Sequence, residues 1–133
     1  MMTAFFHLPG LFEFYQLYKI FVPLFFEHRE YFYDWCDIGS IYGAPADCLW
    51  GGGRVGFGED AAEDVLELVK KYGISARLTF SNSLLCKEHL QDVRCNDLCK
   101  KLSAHGLQNG GYCQPKNGVI VHSDLLVEYL QIN

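Results

Sequence analysis

Positive charge is scarce in this sequence. Only 11 lysines and arginines stand against 16 aspartates and glutamates, which gives a formal net charge of −5. The basic residues are also scattered along the chain, so they form no cluster of the kind that binds phosphate backbones. Nucleic acid is therefore not expected as a partner.

An uninterrupted apolar run of transmembrane length is also missing. The most apolar stretch, residues 11–26, is broken by Glu13, Gln16, Lys19 and Pro23 before the ~20 residues needed to cross a bilayer accumulate. No cleavable signal peptide is recognisable either. The sequence thus predicts a protein that resides in the cytoplasm and has no membrane partner.

The spacings that cysteine-based sites need are absent, although the chain has 6 cysteines. Cys95 and Cys99 would share a helical face, but they form neither a C-x-x-C redox pair nor part of a zinc ribbon or iron–sulfur loop. Because disulfides are rare in a reducing compartment, we expect free thiols packed as small hydrophobic residues. No metal site is predicted.

Familiar catalytic motifs are missing as well: there is no Gly-x-Ser-x-Gly, no Walker phosphate loop and no zinc-protease helix. Gly51, Gly53 and Gly56 do fit G-x-G-x-x-G. However, the following strand ends in Ser81 to Ser83, where a dinucleotide site needs an acidic residue to hold the ribose. We therefore predict a tight glycine turn, and no cofactor is clearly encoded.

What the sequence does contain is the composition of one globular domain. Half of its 133 residues are hydrophobic and 20% are charged, which is typical of folded proteins of this size. Residues 1–36 are rich in aromatic side chains and predict two helices packed on a sheet, with Pro23 in the first turn of the second helix. An exposed interaction patch is the alternative interpretation of this segment.

From residue 37 to residue 133, short apolar runs alternate with helical patterns, which predicts an α/β fold with a parallel sheet and about three βα units. The first strand is residues 38–42 or, as the favoured interpretation, residues 46–50. The other expected elements are a helix over 59–72, a strand within 74–80, a helical region over 83–105 with a break within 92–96, a strand over 119–121 and a helix over 125–130.

The carboxyl ends of parallel strands lie at one edge of the sheet, where α/β proteins bind ligands. Polar or aromatic residues follow each predicted strand, and these are the candidate ligand-binding residues: Trp50, Arg54, Ser81, Asn82, Ser83, His122 and Ser123. His122 is also the candidate catalytic residue, because an imidazole titrates near neutral pH.

Each candidate has an alternative structural role. Arg54 is suited to binding a carboxylate or phosphate in a bidentate manner, but it is equally suited to pairing with a neighbouring acid. Ser81 or Ser83 could cap the following helix, and Asn82 could satisfy turn backbone. Ser123 or Asp124 could cap the last helix in the same way.

The stretch YGAPADCLWGGGRVGFGEDAAEDVLELVKKYGISARLTFSNSLL resembles the opening of the collagenase-like peptidase family. Barrels of that family begin with a YGADAVYLGG-type strand and turn, then a helix, then a GV-x-V-x-x-T-x-N-x-L strand. The comparable positions here are Tyr42, Gly43, Ala44, Asp47, Gly51, Gly52, Tyr72, Gly73, Thr79 and Asn82. The run NGVIVHSDLL is similar to the third strand of the family, and the whole chain looks like a group of uncharacterised bacterial barrel proteins.

The resemblance implies a (βα)8 barrel, which normally takes ~250 residues, so this chain would be a truncated or partial barrel. Relatives in that family include peptidases and enzymes that hydroxylate RNA bases or quinones without oxygen, using iron–sulfur cysteines that lie beyond the matched region. The implied function is an enzyme fragment that binds a small molecule or a peptide at the strand ends. The alternative is a non-catalytic α/β assembly module that self-associates through an open sheet edge or its aromatic helices.

Overall fold

Parallel strands in chain order form the centre of the fold. The computed structural model describes residues 2–52, 62–104 and 117–133, and within these ranges the sheet has 4 strands in the order β1-β2-β3-β4, with every neighbouring pair parallel. The strands are β1 (Ala4–Leu8), β2 (Cys36–Gly43), β3 (Ala76–Phe80) and β4 (Gly118–Val121). The helices are α1 (Tyr15–Glu27), α2 (Ala62–Lys71), α3 (Val93–Ala104) and α4 (Asp124–Ile132). Short 3-10 turns occupy Arg29–Tyr31, Leu49–Gly51 and Lys87–Gln91.

The alternation of strands and helices confirms the predicted α/β class, and a helix follows every strand. The number of βα units is four among the described residues, where the sequence predicted about three. The predicted strands at 74–80 and 119–121 are confirmed as β3 and β4, and the last helix as α4. The break expected within the long helical region lies at Asp92, between a 3-10 turn and α3.

The aromatic N-terminal segment differs from the predicted pair of helices. It begins with β1, and a single helix, α1, then runs through Pro23. A proline inside a helix costs about 3 kcal/mol, but Tyr18, Val22 and Phe25 are all buried along one side of α1. Burial of these side chains outweighs the break that the local sequence favours.

The favoured position of the first predicted strand, residues 46–50, is wrong. Residues Leu49–Gly51 form a 3-10 turn, and the strand is β2, which covers the other interpretation of residues 38–42. Local propensity disfavours β2 because it contains Gly39 and Gly43. The structure needs Gly43, since a Cβ there would lie 2.7 Å from the backbone nitrogen of Leu11.

Contacts link α1 to the residue that follows α2, α2 to α3, and α3 to α4, and the main core lies between the helices and the sheet. The contacting pairs are Phe26 with Tyr72, Glu63 with Lys101, and Asn96 with Tyr129. The face of β3 that carries Leu78 and Phe80 is fully buried. None of the helices in the described ranges combines the length and the apolar character that a bilayer span requires.

Candidate functional site

The loops that follow β2 and β3 are joined at the carboxyl edge of the sheet. The backbone N–H of Asn82 donates to the Trp50 carbonyl at 3.1 Å, and the Asn82 amide nitrogen donates to the Leu49 carbonyl at 3.0 Å. The Ser81 hydroxyl donates to the Gly51 carbonyl at 3.3 Å. The structure thus brings these sequence-predicted residues together, mainly through backbone groups of the turn.

The end of β4 lies beside them. The backbone N–H of His122 donates to the Phe80 carbonyl at 3.1 Å, which places His122 next to Ser81. The His122 side chain is exposed and, within the described ranges, its ring makes no side-chain hydrogen bond or ion pair. Its role as acid or base therefore stays a prediction that depends on its position alone.

Two of the candidate residues have clear structural roles. Trp50 is completely buried: its indole N–H donates to the His89 carbonyl at 2.8 Å, and its ring meets Phe80 edge-on at 5.3 Å. Ser123 caps α4, because its hydroxyl oxygen accepts from the Leu126 N–H at 3.3 Å. The capping alternative for Ser123 is confirmed, and Trp50 presents no surface to a ligand.

The polar stretch after β3 forms a loop and not a helix cap. Cys86 holds the N-cap position of the next 3-10 turn, so the expectation that Ser81 or Ser83 caps it is wrong. The Asn82 side chain satisfies turn backbone as predicted, since its oxygen accepts from the Leu84 N–H at 2.9 Å. Ser83 is exposed, and Arg54 lies outside the described residues.

The end of β1 also belongs to this edge, which the sequence did not reveal. The Leu11 N–H donates to the Tyr42 carbonyl at 3.0 Å, and the Tyr18 hydroxyl donates to the Pro9 carbonyl. Burial raises the pKa of Tyr18, with smaller contributions from Tyr42 and Glu13. The Tyr18 hydroxyl therefore keeps its proton at neutral pH and holds the turn after β1.

A polar face of the sheet extends from this edge, on the side opposite to Leu78 and Phe80. Successive side chains of a strand point to opposite faces, so Arg77 and Thr79 share one face, and strand register adds Tyr42 directly beside Arg77. On the same face the ring nitrogen Nδ1 of His7 lies 2.6 Å from the Ser40 hydroxyl oxygen. We call the set His7, Ser40, Tyr42, Arg77 and Thr79 the polar face.

Two groups of the polar face are buried and have no hydrogen-bond partner within the described ranges. They are Nε of Arg77 and Oγ1 of Thr79. Leaving such a group unpaired costs about 1–3 kcal/mol, and native proteins keep few of them, often at sites of function. The unpaired groups mark this face as the chemically unusual part of the sheet.

The polar face was missed because the sequence interpretation treated residues 74–80 as one apolar run. Strands of parallel sheets usually read as continuous apolar runs because both of their faces are covered. In ARLTF, Arg77 and Thr79 alternate with apolar residues, and this alternation is the signal that would have revealed a polar side.

Comparisons with protein families, with curated proteins and with solved structures found no match to this chain. Within the described ranges, no group of three or more histidine, cysteine, aspartate or glutamate side chains is arranged to hold a metal ion. The chemistry of a ligand must therefore be inferred from the polar face and the carboxyl edge themselves.

Proposed function

We propose that this chain is built as part of a (βα)8-type barrel, related to the collagenase-like peptidases and oxygen-independent hydroxylases, and that it binds a small molecule or peptide at the carboxyl ends of its strands. The strand order supports the barrel, since barrel strands follow one another in chain order. In doubly wound sheets the order instead reverses at a switch point. The successive contacts of α1 with the end of the α2 segment, of α2 with α3 and of α3 with α4 fit helices that lie in one outer layer.

The observation that carries the binding proposal is that Arg77 Nε and Thr79 Oγ1, on the polar face, are buried and find no partner among the residues that the structure describes. In a barrel this face lines the interior, and a site near its carboxyl end is open to ligands. An arginine guanidinium binds carboxylates and phosphates with two parallel hydrogen bonds. We therefore propose that the ligand carries an anionic group that the Arg77 guanidinium binds, with Thr79 lying between Arg77 and the carboxyl end of β3.

The remaining residues of the edge supply the rest of the site. Ser81, Asn82 and His122 lie at the ends of β3 and β4, on the carboxyl side of Arg77. Arg54 lies outside the described residues and stays a predicted ligand-binding residue. In an enzyme of this kind His122 is the candidate general acid or base for the bound molecule.

We expect Arg77→Gln to weaken the binding of a simple anion by at least about tenfold, because a hydrogen bond to a charged group is worth roughly 1.5–3 kcal/mol. The measurement is a titration of the ¹⁵N-labelled chain with inorganic phosphate and, separately, with malonate, followed by NMR chemical shifts.

Arg94→Gln is the matched control, since Arg94 is an exposed arginine of α3 that pairs with Asp47 and is not a member of the polar face. Its anion affinity should equal that of the unchanged protein. Equal weakening in both variants, or shifts that do not map to β2, β3 and their carboxyl ends, would argue against the proposal.

The alternative function, self-association as a non-catalytic assembly module, is favoured by the β4 edge. Val119 and Ile120 are 40% and 44% exposed there, and an apolar groove of about 380 Å³ runs beside them, lined by Val119, Val121, Val127, Leu130 and Gln131. Open sheet edges invite pairing with another chain, and a second copy of this chain would offer the same edge. Light scattering after size exclusion tests this alternative: a monomer at all concentrations contradicts it, and a dimer supports it.

A further inference from the structure

A pair of buried thiols lies directly behind the carboxyl edge. The sulfur atoms of Cys48 and Cys95 are 3.5 Å apart, although the residues are 47 positions apart in the chain. Their side chains are 1% and 0% exposed. Cys48 precedes the turn Leu49–Gly51, whereas Cys95 lies in the first turn of α3, so the pair joins the loop after β2 to a helix.

The two thiols differ in acidity. A hydrogen bond from Cys95 lowers the pKa of Cys48, against the effect of burial, and the N–H groups of Gly51 and Trp50 lower it further. The hydrogen bond to Cys48, together with burial, raises the pKa of Cys95. Because a thiolate is the reactive form of cysteine, Cys48 is the nucleophile of the pair, and Cys95 keeps its proton.

We propose that Cys48 and Cys95 are a redox modification site that a small hydroperoxide converts into a disulfide. The Cys48 sulfur attacks one peroxide oxygen, the O–O bond breaks, and Cys48 becomes a sulfenic acid while the other oxygen leaves as water or the corresponding alcohol. The Cys95 sulfur then attacks the Cys48 sulfur, the S–O bond breaks, and the hydroxyl group leaves as water with the Cys95 proton. The two thiols together lose two electrons and two protons, and these reduce the peroxide.

The burial of the two sulfur atoms also favours a small oxidant. Both sulfur atoms are buried, so hydrogen peroxide, which is close to water in size, reaches them during local fluctuations more readily than a bulky disulfide does. Bond formation requires the sulfur atoms to approach from 3.5 Å to about 2.05 Å. The new bond would tie the turn that carries Trp50 to α3, and through Asn82 it would restrain the carboxyl edge.

The test exposes the full chain to hydrogen peroxide, blocks the remaining thiols by alkylation under denaturing conditions, and maps the cross-links by mass spectrometry. The expected product is a Cys48–Cys95 cross-linked peptide that a reductant removes, accompanied by a rise in melting temperature of about 5–15 °C. Oxidised glutathione should produce the cross-link much more slowly than hydrogen peroxide.

Variants assign the roles of the two sulfurs. Cys95→Ser, which keeps a hydrogen-bond donor beside Cys48, should accumulate a sulfenic acid on Cys48 that dimedone traps when the oxidised chain is unfolded in its presence. Cys48→Ala should form neither product. Cys86→Ala, which removes an exposed thiol, should cross-link as the unchanged protein does. Circular dichroism confirms that each variant is folded, and the mapping of the unchanged protein decides the question without any variant. Free Cys48 and Cys95 beside oxidised Cys36 or Cys86, or a cross-link from Cys48 to Cys99, would overturn the proposal.

Discussion

Replacing Trp50 by alanine is expected to destabilise the protein by about 3–5 kcal/mol. Trp50 is among the largest fully buried side chains of the described residues. Its ring meets Phe80 of β3 and Tyr129 of α4 edge-on, at 5.3 and 6.1 Å, and its indole N–H holds the His89 carbonyl at 2.8 Å. The substitution would leave both a cavity and an unpaired buried carbonyl.

The loss is large against the stability of a typical domain, which is about 5–15 kcal/mol. It can be measured by urea unfolding followed by far-ultraviolet circular dichroism, because that signal does not depend on tryptophan. Trp35→Ala is the matched control: Trp35 is partly exposed, and in the described part of the chain its ring stacks on Tyr33 alone, so its loss should cost about 1 kcal/mol or less. Similar unfolding midpoints for the two variants would show that Trp50 is not the centre of this packing.

Replacing Ile41 by alanine is expected to cost about 2–5 kcal/mol. Ile41 is 0% exposed and lies in β2, where it is paired with Leu8 of β1 and Ala76 of β3. Removing its side chain opens a cavity at the middle of the sheet, where strands on both sides limit the collapse that could fill it. Urea unfolding provides the free energy of unfolding for this variant as well.

Ile20→Ala is the control for this prediction, because it deletes the same atoms from a side chain that is 68% exposed on α1. Alanine also has the higher helix propensity, so this variant should be neutral or slightly more stable. If the two isoleucine variants lost equal stability, the assignment of residues 36–43 to a central strand would be wrong.

The two isoleucine variants test the part of the fold that was hardest to predict from the sequence. The alternation of apolar runs and helical patterns was enough to predict the α/β class, but β1 and β2 were missed or misplaced. Both strands have weak local signals: β1 has only 5 residues, and β2 contains two glycines. Each becomes a strand because a neighbouring strand satisfies its backbone hydrogen bonds, and this pairing cannot be seen in the local sequence.

The candidate site was likewise predicted only in part. The sequence placed Ser81, Asn82 and His122 at the ends of parallel strands, and the structure brings them to one edge. The sequence alone could not separate ligand-binding residues from structural ones. Trp50 is completely buried and Ser123 caps α4, so both have structural roles. The polar face was missed because Arg77 and Thr79 were treated as part of an apolar run. Their neighbours on the next strand, such as Tyr42, also depend on a strand register that the sequence does not provide.

Local chemistry alone determined α2, β3 and the final helix. Their apolar spacing, their charged ends and the serine cap of α4 act between residues close in the chain, and such signals survive in the sequence. Only the tertiary structure decided that Arg77 lies beside Tyr42, that Trp50 is buried below the carboxyl edge, and that Cys48 contacts Cys95. These contacts join residues separated by about 30 to 80 positions, and the free energy that forms them comes from packing the whole sheet against its helices.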